Sequence, residues 1–358
     1  MLWNRSSKTI IYKGDKMNLI NYIIRRILVA IVVLLGVITL VFFISRTIMD
    51  AETILLMSLP FPFTEAQYNA EFARLGLDKP VFVQYFIFMG DLLSGDWGFS
   101  VILIPGSSVW HIITQRLPRT IEITVLALII SIFIGFKLGK IGASNRNKSK
   151  DNIIRIVTYF GVSIPAFLLA TLFIQITLTT GTKIFPFFGY KSPRIGDPPT
   201  ITYSRIIDCI LTGNYEILLD YLYHLFVPVS AMIIVILSKF TRLTRSNMLE
   251  VLQKDYIRTA WAKGCTKKKV YGKHALKNAV LSTITAISLS IPRIFGGMVV
   301  IEVAFLFPGM GSLFYESLTR NDSGIFIVLI YLFGLIAIIS NLIADISYAI
   351  IDPRIRLT

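Results

Sequence analysis

The sequence predicts an all-α integral membrane protein: six transmembrane helices, an external subdomain after helix 1, and a cytoplasmic helical loop between helices 4 and 5. Three observations predict it. Of the 358 residues, 54% are hydrophobic and only 16% charged, against about 45–50% and about 25% in ordinary soluble domains. The apolar excess is gathered into six blocks near the length a helix needs to cross the hydrocarbon core. The basic residues fall on alternate sides of those blocks, as the positive-inside rule requires.

The blocks are Ile27–Ile44, Ile121–Leu138, Ile153–Leu178, Tyr221–Leu237, Leu281–Val303 and Ile325–Ile351. None shows the alternating pattern of a barrel strand, and backbone groups in lipid must bond within their own segment, so each reads as a helix. The first follows Lys13, Lys16, Arg25 and Arg26 and has the flanks of a signal peptide. It is long for one, however, and Ser45–Asp50 offers no small-x-small cleavage site, so a retained span over residues 27–45 is expected. Residues 1–26 then form a cytoplasmic segment, with Met17 as an alternative start.

Residues 46–118 are too long for a simple connector. Thr64–Leu75 reads as a helix, with Thr64 as N-cap, Glu65 in the first turn and Gly76 as the stop. Val81–Leu93 is apolar and aromatic and ends at Ser94-Gly95-Asp96-Trp97-Gly98. Together they are expected to form a small subdomain lying on the membrane surface. Gly181–Asp220, with four basic and four acidic residues, reads as an irregular outer loop followed by a partly apolar stretch.

The facing side carries Lys137, Lys140, Arg146, Lys148, Lys150 and Arg155, then a dense run from Lys239 to Lys277, then Arg354 and Arg356. Both termini are therefore expected in the cytoplasm of a multi-pass plasma-membrane protein. Residues 119–352 form a five-helix core with the basic loop at about 239–280, and 353–358 a cytoplasmic tail. The formal charge of +15 follows from this topology, and nucleic-acid binding is not expected. Cys209 and Cys265 fall on opposite sides and should not pair; with no C-x-x-C and three distant histidines, no metal site is expected.

The most informative stretch is Asp255–Asn278, DYIRTAWAKGCTKKKVYGKHALKN. Ser246–Ala262 has helical spacing, with Leu249, Leu252, Tyr256, Ala260 and Lys263 near one face. Gly264 stops that helix and Thr266 caps a second. Two short helices hinged at a glycine form a basic protrusion suited to docking a soluble partner; a solvated loop that only sets topology is the plainer reading. The segment resembles the cytoplasmic coupling loop, the "EAA" motif, of ABC importer permeases of the binding-protein-dependent class. Arg258, Thr259 and Ala260 occupy the Glu-Ala-Ala positions before Gly264. Arg in place of Glu is typical of the dipeptide/oligopeptide branch, which also carries nickel chelates and some oligosaccharides, and whose loops read DY-[IV]-RTA-x-AKG followed by HALxNA. Here the text is DYIRTAWAKG and HALKNA, with Leu281-Ser282 where the branch places a proline.

YIIRRIL, LLGVITLVFFI, LGLDKPVFVQY, GDWGFS, RLPRTIEIT, FPGMGSLFYESLTRND and NLIADISYAIIDPRIR extend the resemblance in order over nearly the whole chain from Met17. The long external segment directly after span one resembles that of the B-type subunit. The resemblance implies a permease that pairs with a C-type permease, receives solute from an external binding protein, and is driven by two cytoplasmic ATPase subunits that bind ATP and Mg. The chain itself would bind no cofactor and catalyse no reaction. Gly135–Lys140 (GFKLGK) lacks the spacing of a phosphate-binding loop, and no nucleophile–base–acid set is legible. The resemblance places Asp255, Tyr256, Arg258, Thr259, Ala260, Ala262, Lys263, Gly264, His274 and Asn278 in the coupling loop, with Tyr256, Ala260, Ala262 and Gly264 on its docking face.

Three ionisable residues lie in or beside spans, where they are costly unless paired or hydrated. Glu122 reads equally as a solvated edge residue or a functional one. Asp345 reads as a structural partner of nearby Asn341 or a solute contact. Arg293 reads as a lining residue of a water-filled pathway or as an interfacial Arg. Ser288, Gly296 and Gly297 are expected to permit close helix approach. A passive channel or a secondary transporter is the competing class, and a membrane enzyme a remoter one.

Overall fold

The computed structural model describes residues 19–60, 62–180, 186, 188–288 and 290–351. The start at Met17, most of the cytoplasmic segment 1–26 and the tail 353–358 lie outside them. Every regular element among the described residues is helical. The helices are α1 (Leu19–Ile48), α2 (Ala51–Ser58), α3 (Glu65–Leu75), α4 (Val81–Ser94), α5 (Val109–Ser144), α6 (Ser149–Ser163), α7 (Ala166–Thr180), α8 (Arg205–Thr212), α9 (Tyr215–Val251), α10 (Asp255–Ala262), α11 (Lys267–Lys269), α12 (Lys277–Ser288), α13 (Ile291–Ala304), α14 (Met310–Thr319) and α15 (Ser323–Ile351), with a π-helix at Val270–Leu276.

Four described helices are long and apolar enough to cross a membrane: Asn21–Ile48 within α1, then α5, α9, and Ser323–Ile346 within α15. The third block is instead a bent pair, α6 and α7, interrupted at Ile164-Pro165. Proline cannot donate to the preceding turn and disfavours helical geometry in the residue before it. The fifth block is also divided, into α12 and α13, around Ser290. Two helices overrun their apolar blocks: α5 begins at Val109, inside the segment assigned to the external subdomain, and α9 runs from Tyr215 to Val251.

The external subdomain follows its local signals. Thr64 and Gln67 form a reciprocal capping box at the start of α3, and Gly76 closes it in the left-handed region at φ +60°. A Leu55–Leu59–Leu75 cluster joins α2 to α3. A second cluster, including Val41, Leu92, Ile112, Met310 and Val328, ties α1, α4, α5, α14 and α15 together.

Close helix approach occurs at glycines other than those expected. A Cβ at Gly139 on α5 would run into Thr244 on α9, and one at Gly161 on α6 would run into Ser238. Around Gly296 and Gly297, by contrast, the nearest 4 Å are open, because both glycines line clefts.

Buried carboxylates hold the short segments that join these helices on the side of the external subdomain. Glu302, fully buried, accepts from the Thr120 hydroxyl at 2.6 Å and from the Gly311 and Ser312 backbone N–H groups at 2.7 and 3.0 Å. It thereby receives the N-terminus of α14, where unpaired N–H groups and the helix dipole favour an anion. Glu122 is buried, so the solvated reading is corrected. It accepts from Ser204 Oγ at 2.5 Å, the Ile206 N–H at 3.0 Å and Tyr221 OH at 2.5 Å, holding the start of α8. Asp322 accepts from Ser100 Oγ and from the Ile102 and Leu103 N–H groups at 2.6–3.1 Å, fastening the external segment to the start of α15. At the opposite end of the α5–α9 pair, Arg245 makes a two-pronged pair with buried Asp151 at 2.6 and 2.7 Å.

Replacing Glu302 with alanine leaves two backbone donors and a hydroxyl without their acceptor, at an expected cost of about 3 kcal/mol. Glu302→Gln, which keeps one acceptor oxygen, should lose less; thermal unfolding in detergent ranks the two. In the outer loop, burial opposes ionisation of Asp197, but its hydrogen bond to Lys191 and the charge of Arg205 prevail and hold its carboxyl below the usual range. That contribution is fully present above the ordinary value of 3.8 and is lost as pH falls through the depressed value. Amide protection over residues 190–205, corrected for the intrinsic exchange rate at each pH, should therefore fall only in that acid range.

Candidate functional site

The basic loop is a folded elbow. α9 ends at Val251, and a turn over residues 252–254 separates it from α10, so Ser246–Ala262 is two helices rather than one. Asp255 opens α10 with a carboxylate in its first turn, favourable to the helix dipole. On its inner face Ile257 and Ala260 are buried; Ala260 therefore packs inward instead of presenting a docking surface. Asp255, Tyr256, Arg258, Thr259, Ala262 and Lys263 are exposed.

Gly264 closes α10 at φ +72°. Its N–H donates to Trp261 O at 2.9 Å, and the Cys265 N–H reaches back to Ala260 O at 3.2 Å, satisfying carbonyls the helix end leaves open. Nothing lies within 4 Å of a Cβ added there, so the backbone conformation alone selects glycine. Thr266 starts the next helix through its backbone carbonyl, which accepts from Lys269 and Val270; its side chain makes no cap bond, a correction to the expected role.

From Val270 to Leu276 the chain is a π-helix, the widened form that recurs at functional sites. Val270, Ala275 and Ala279 join Ile257, Ala260, Met248 and Ala143 in one small core. That core fixes the elbow to the ends of α5 and α9, the two longest described helices. His274 sits half-buried in the π-helix, its carbonyl accepting from the Asn278 side chain at 2.9 Å; its Nε2 is buried without a partner. Both are structural members of the elbow's second arm.

Exposed aromatic rings flank the buried face of α10, Tyr256 and Trp261 standing about 140° apart around the helix. Tyr256 and Trp261 are 45% and 44% exposed, large rings left open beside a packed core. Trp261 meets Tyr271 edge-on, with centroids 6.5 Å apart, and the Lys267 ammonium lies over the Tyr271 ring. Sequence reasoning left out Trp261, whose exposure follows from the burial of Ile257 and Ala260 and not from the residue pattern. Glu302 was missed too, although an acid at the end of an apolar block before Pro308-Gly309-Met310-Gly311 marked it.

Deeper among the helices lies a cleft of about 160 Å³, walled by Met232, Ile236, Phe240, Ile294, Gly297 and Ile301. Lys239 and Ser290 add the polar atoms of its lining, joined at 3.1 Å, and Ser290 stands at the break between α12 and α13. Arg293 lies on α13 close to this break, but its side chain falls outside the described residues. Among the described residues Asp345 pairs with Arg26 of α1, at 2.8 Å, and not with Asn341.

Comparison with known proteins agrees with this arrangement. Residues 127–357 match the family model described as the binding-protein-dependent transport system inner membrane component. Residues 19–124 match the model of the N-terminal part of such membrane components. The oligopeptide transport system permease protein AppB of Bacillus subtilis is 34% identical, covering 94% of this chain and 99% of its own length. The dipeptide transport system permease proteins DppB of Alkalihalophilus pseudofirmus and of Escherichia coli K12 are 35% and 30% identical, with the same coverage. With both halves matched and relatives aligned end to end, the chain belongs to the family of binding-protein-dependent transport system inner membrane components.

Proposed function

We propose that this chain is the B-type permease subunit of an ATP-driven ABC importer. It supplies half of the translocation pathway for peptides or similar solutes, and its elbow takes up the movement of cytoplasmic ATPase subunits. The observation that carries the reading is the pairing of two exposed rings on α10, Tyr256 and Trp261, with a buried core that joins α10 to α5 and α9. Rings on a mobile loop would yield under load; rings backed by packed side chains move as a body with the helices, as a two-state rocking mechanism requires. ATP and Mg belong to the two ATPase partners, a C-type permease supplies the other half of the pathway, and an external binding protein selects the solute.

In this reading six spans cross the plasma membrane, with both termini in the cytoplasm. The bent α6–α7 pair serves as the third and the divided α12–α13 pair as the fifth. A break inside a span is compatible with lipid where it faces protein or a water-filled cavity, and the α12–α13 break does border the cleft of Lys239 and Ser290. The side of the membrane is testable with native cysteines, since Cys209 is buried and Cys265 partly exposed. A membrane-impermeant maleimide should label Cys265 in inside-out vesicles and leave it unlabelled in right-side-out ones.

The decisive experiment is purification of the chain with its neighbouring ATPases, C-type permease and binding protein, followed by uptake in proteoliposomes. The double substitution Tyr256→Ala/Trp261→Ala should leave the two permeases associated while cutting ATP-driven uptake by about tenfold or more, equivalent to about 1.4 kcal/mol of lost coupling. Uptake unaffected by that change, or uptake without any ATPase, would sink the reading. Gly264→Ala should cost about 1 kcal/mol through its left-handed backbone, with Gly264→Asn milder, as read by thermal unfolding.

A further inference from the structure

α4 has two unlike faces. Phe82, Phe86 and Leu93 stand at i, i+4 and i+11, within about 40° of one another around a helix turning 100° per residue. They are 65%, 60% and 54% exposed. The polar side chains turn the other way. Gln84 donates to the Leu77 and Lys79 carbonyls, and Asp91 pairs with Arg74 at 2.9 Å. The outward stripe therefore carries no charge.

The depth of α4 follows from what it touches. The Tyr85 and Thr39 hydroxyls are 2.8 Å apart, and the Tyr85 and Phe88 rings pack on Phe42 at 5.4 and 5.5 Å. Thr39 lies within the apolar run of α1, nine residues before Ile48, or roughly 13 Å below the helix end at 1.5 Å per residue. Just beyond the far end of α4, Trp97 meets Tyr331 edge-on, with centroids 6.4 Å apart. Tyr331 stands eight residues into α15, roughly 12 Å from its start. The body of α4 and the turn that follows it are thus lodged beside membrane-crossing stretches of two separate spans, below the level where those spans finish. On α1, Leu40 and Phe43 at this level are also open, 54% and 58% exposed.

We propose that α4 is an in-plane membrane helix whose Phe82–Phe86–Leu93 stripe is covered by phospholipid acyl chains of the leaflet on the side of the external subdomain. With 14 residues, or about 21 Å, it is too short to cross the roughly 30 Å hydrocarbon core, and lying along the interface buries the stripe. A binding protein arriving through water does not reach below the span ends. A second permease packing helix on helix would favour small residues at the contact, whereas this stripe is built of bulky ones. The occupied surface continues the lipid-facing side of α1, so the subdomain is held in the bilayer by an edge of its own as well as by its covalent links to α1 and α5.

Single spin labels at positions 82, 86 and 93, in a chain carrying Cys209→Ala and Cys265→Ser and assembled with its partners in lipid nanodiscs, test this. Each should be open to oxygen and, compared with a label at Glu65 on α3, about fivefold or more shielded from a water-soluble nickel reagent, as expected of an interfacial helix. Labels at 82, 86 and 93 as open to nickel as the one at 65 would overturn the proposal, and so would labels closed to both reagents. Should a label prevent assembly, benzoylphenylalanine at position 86 in whole membranes preserves the aromatic ring. A phospholipid adduct by mass spectrometry is the expected product; an adduct to protein, or none, overturns the assignment.

Discussion

A carboxylate removed from water must find donors close by, and the arrangement of this molecule's connecting segments follows from how that demand is met. Glu302 and Glu122 each gather three donors and Asp322 four. Two for Glu302, three for Asp322 and one for Glu122 are backbone N–H groups. A buried charge left without such partners would cost several kcal/mol. Its presence therefore fixes where α14, α8 and the external segment begin relative to α5, α13 and α15. Gly309 and Gly311 fit the same arrangement, since a side chain at Gly309 would collide with the Glu302 carboxylate and one at Gly311 with the Val299 backbone beside it.

On the other side of the molecule a different device does the joining. Gly135, Gly139 and Gly142 let α5 lie directly against α9 at Phe240, Thr244 and Arg245, and Asp151 adds an ion pair with Arg245. The elbow is built on the ends of these same two helices through Ala143 and Met248. The close-packed α5–α9 pair and the elbow proposed to meet a partner are thus adjacent, and α9 also lines the cleft with α13. Two-state behaviour needs packed elements rather than compliant ones, and small residues at these positions supply the packing.

Much of this was legible beforehand because its causes are local. The apolar blocks, the Thr64–Gly76 helix, the α4 segment and the stop at Gly264 all depend on composition or on residues a turn apart. The ends of α5 and α9 were not legible, because both helices continue past their apolar blocks on tertiary contacts. The breaks in the third and fifth blocks were passed over because each block is long enough to cross as one helix, although Pro165 and Pro292 stood beside them. At the site, the resemblance put Ala260 on the docking face, whereas the chain buries it beside Ile257 on the inner side of α10. Glycine pairs were read at 296–297 and found instead at 135, 139 and 161, since a glycine alone does not say whether its neighbour is another helix or empty space.

The identity of the donors to the buried carboxylates has a further consequence. Every residue type but proline carries a main-chain N–H. Gly311, Ser312, Ile102, Leu103 and Ile206 therefore serve their acids by position and not by side-chain chemistry. Relatives that share the three acids are free to vary at Ile102, Leu103 and Ile206 without orphaning a charge, provided proline stays out. The connecting segments can thus diversify towards different external visitors while the anchoring points beneath them remain unchanged.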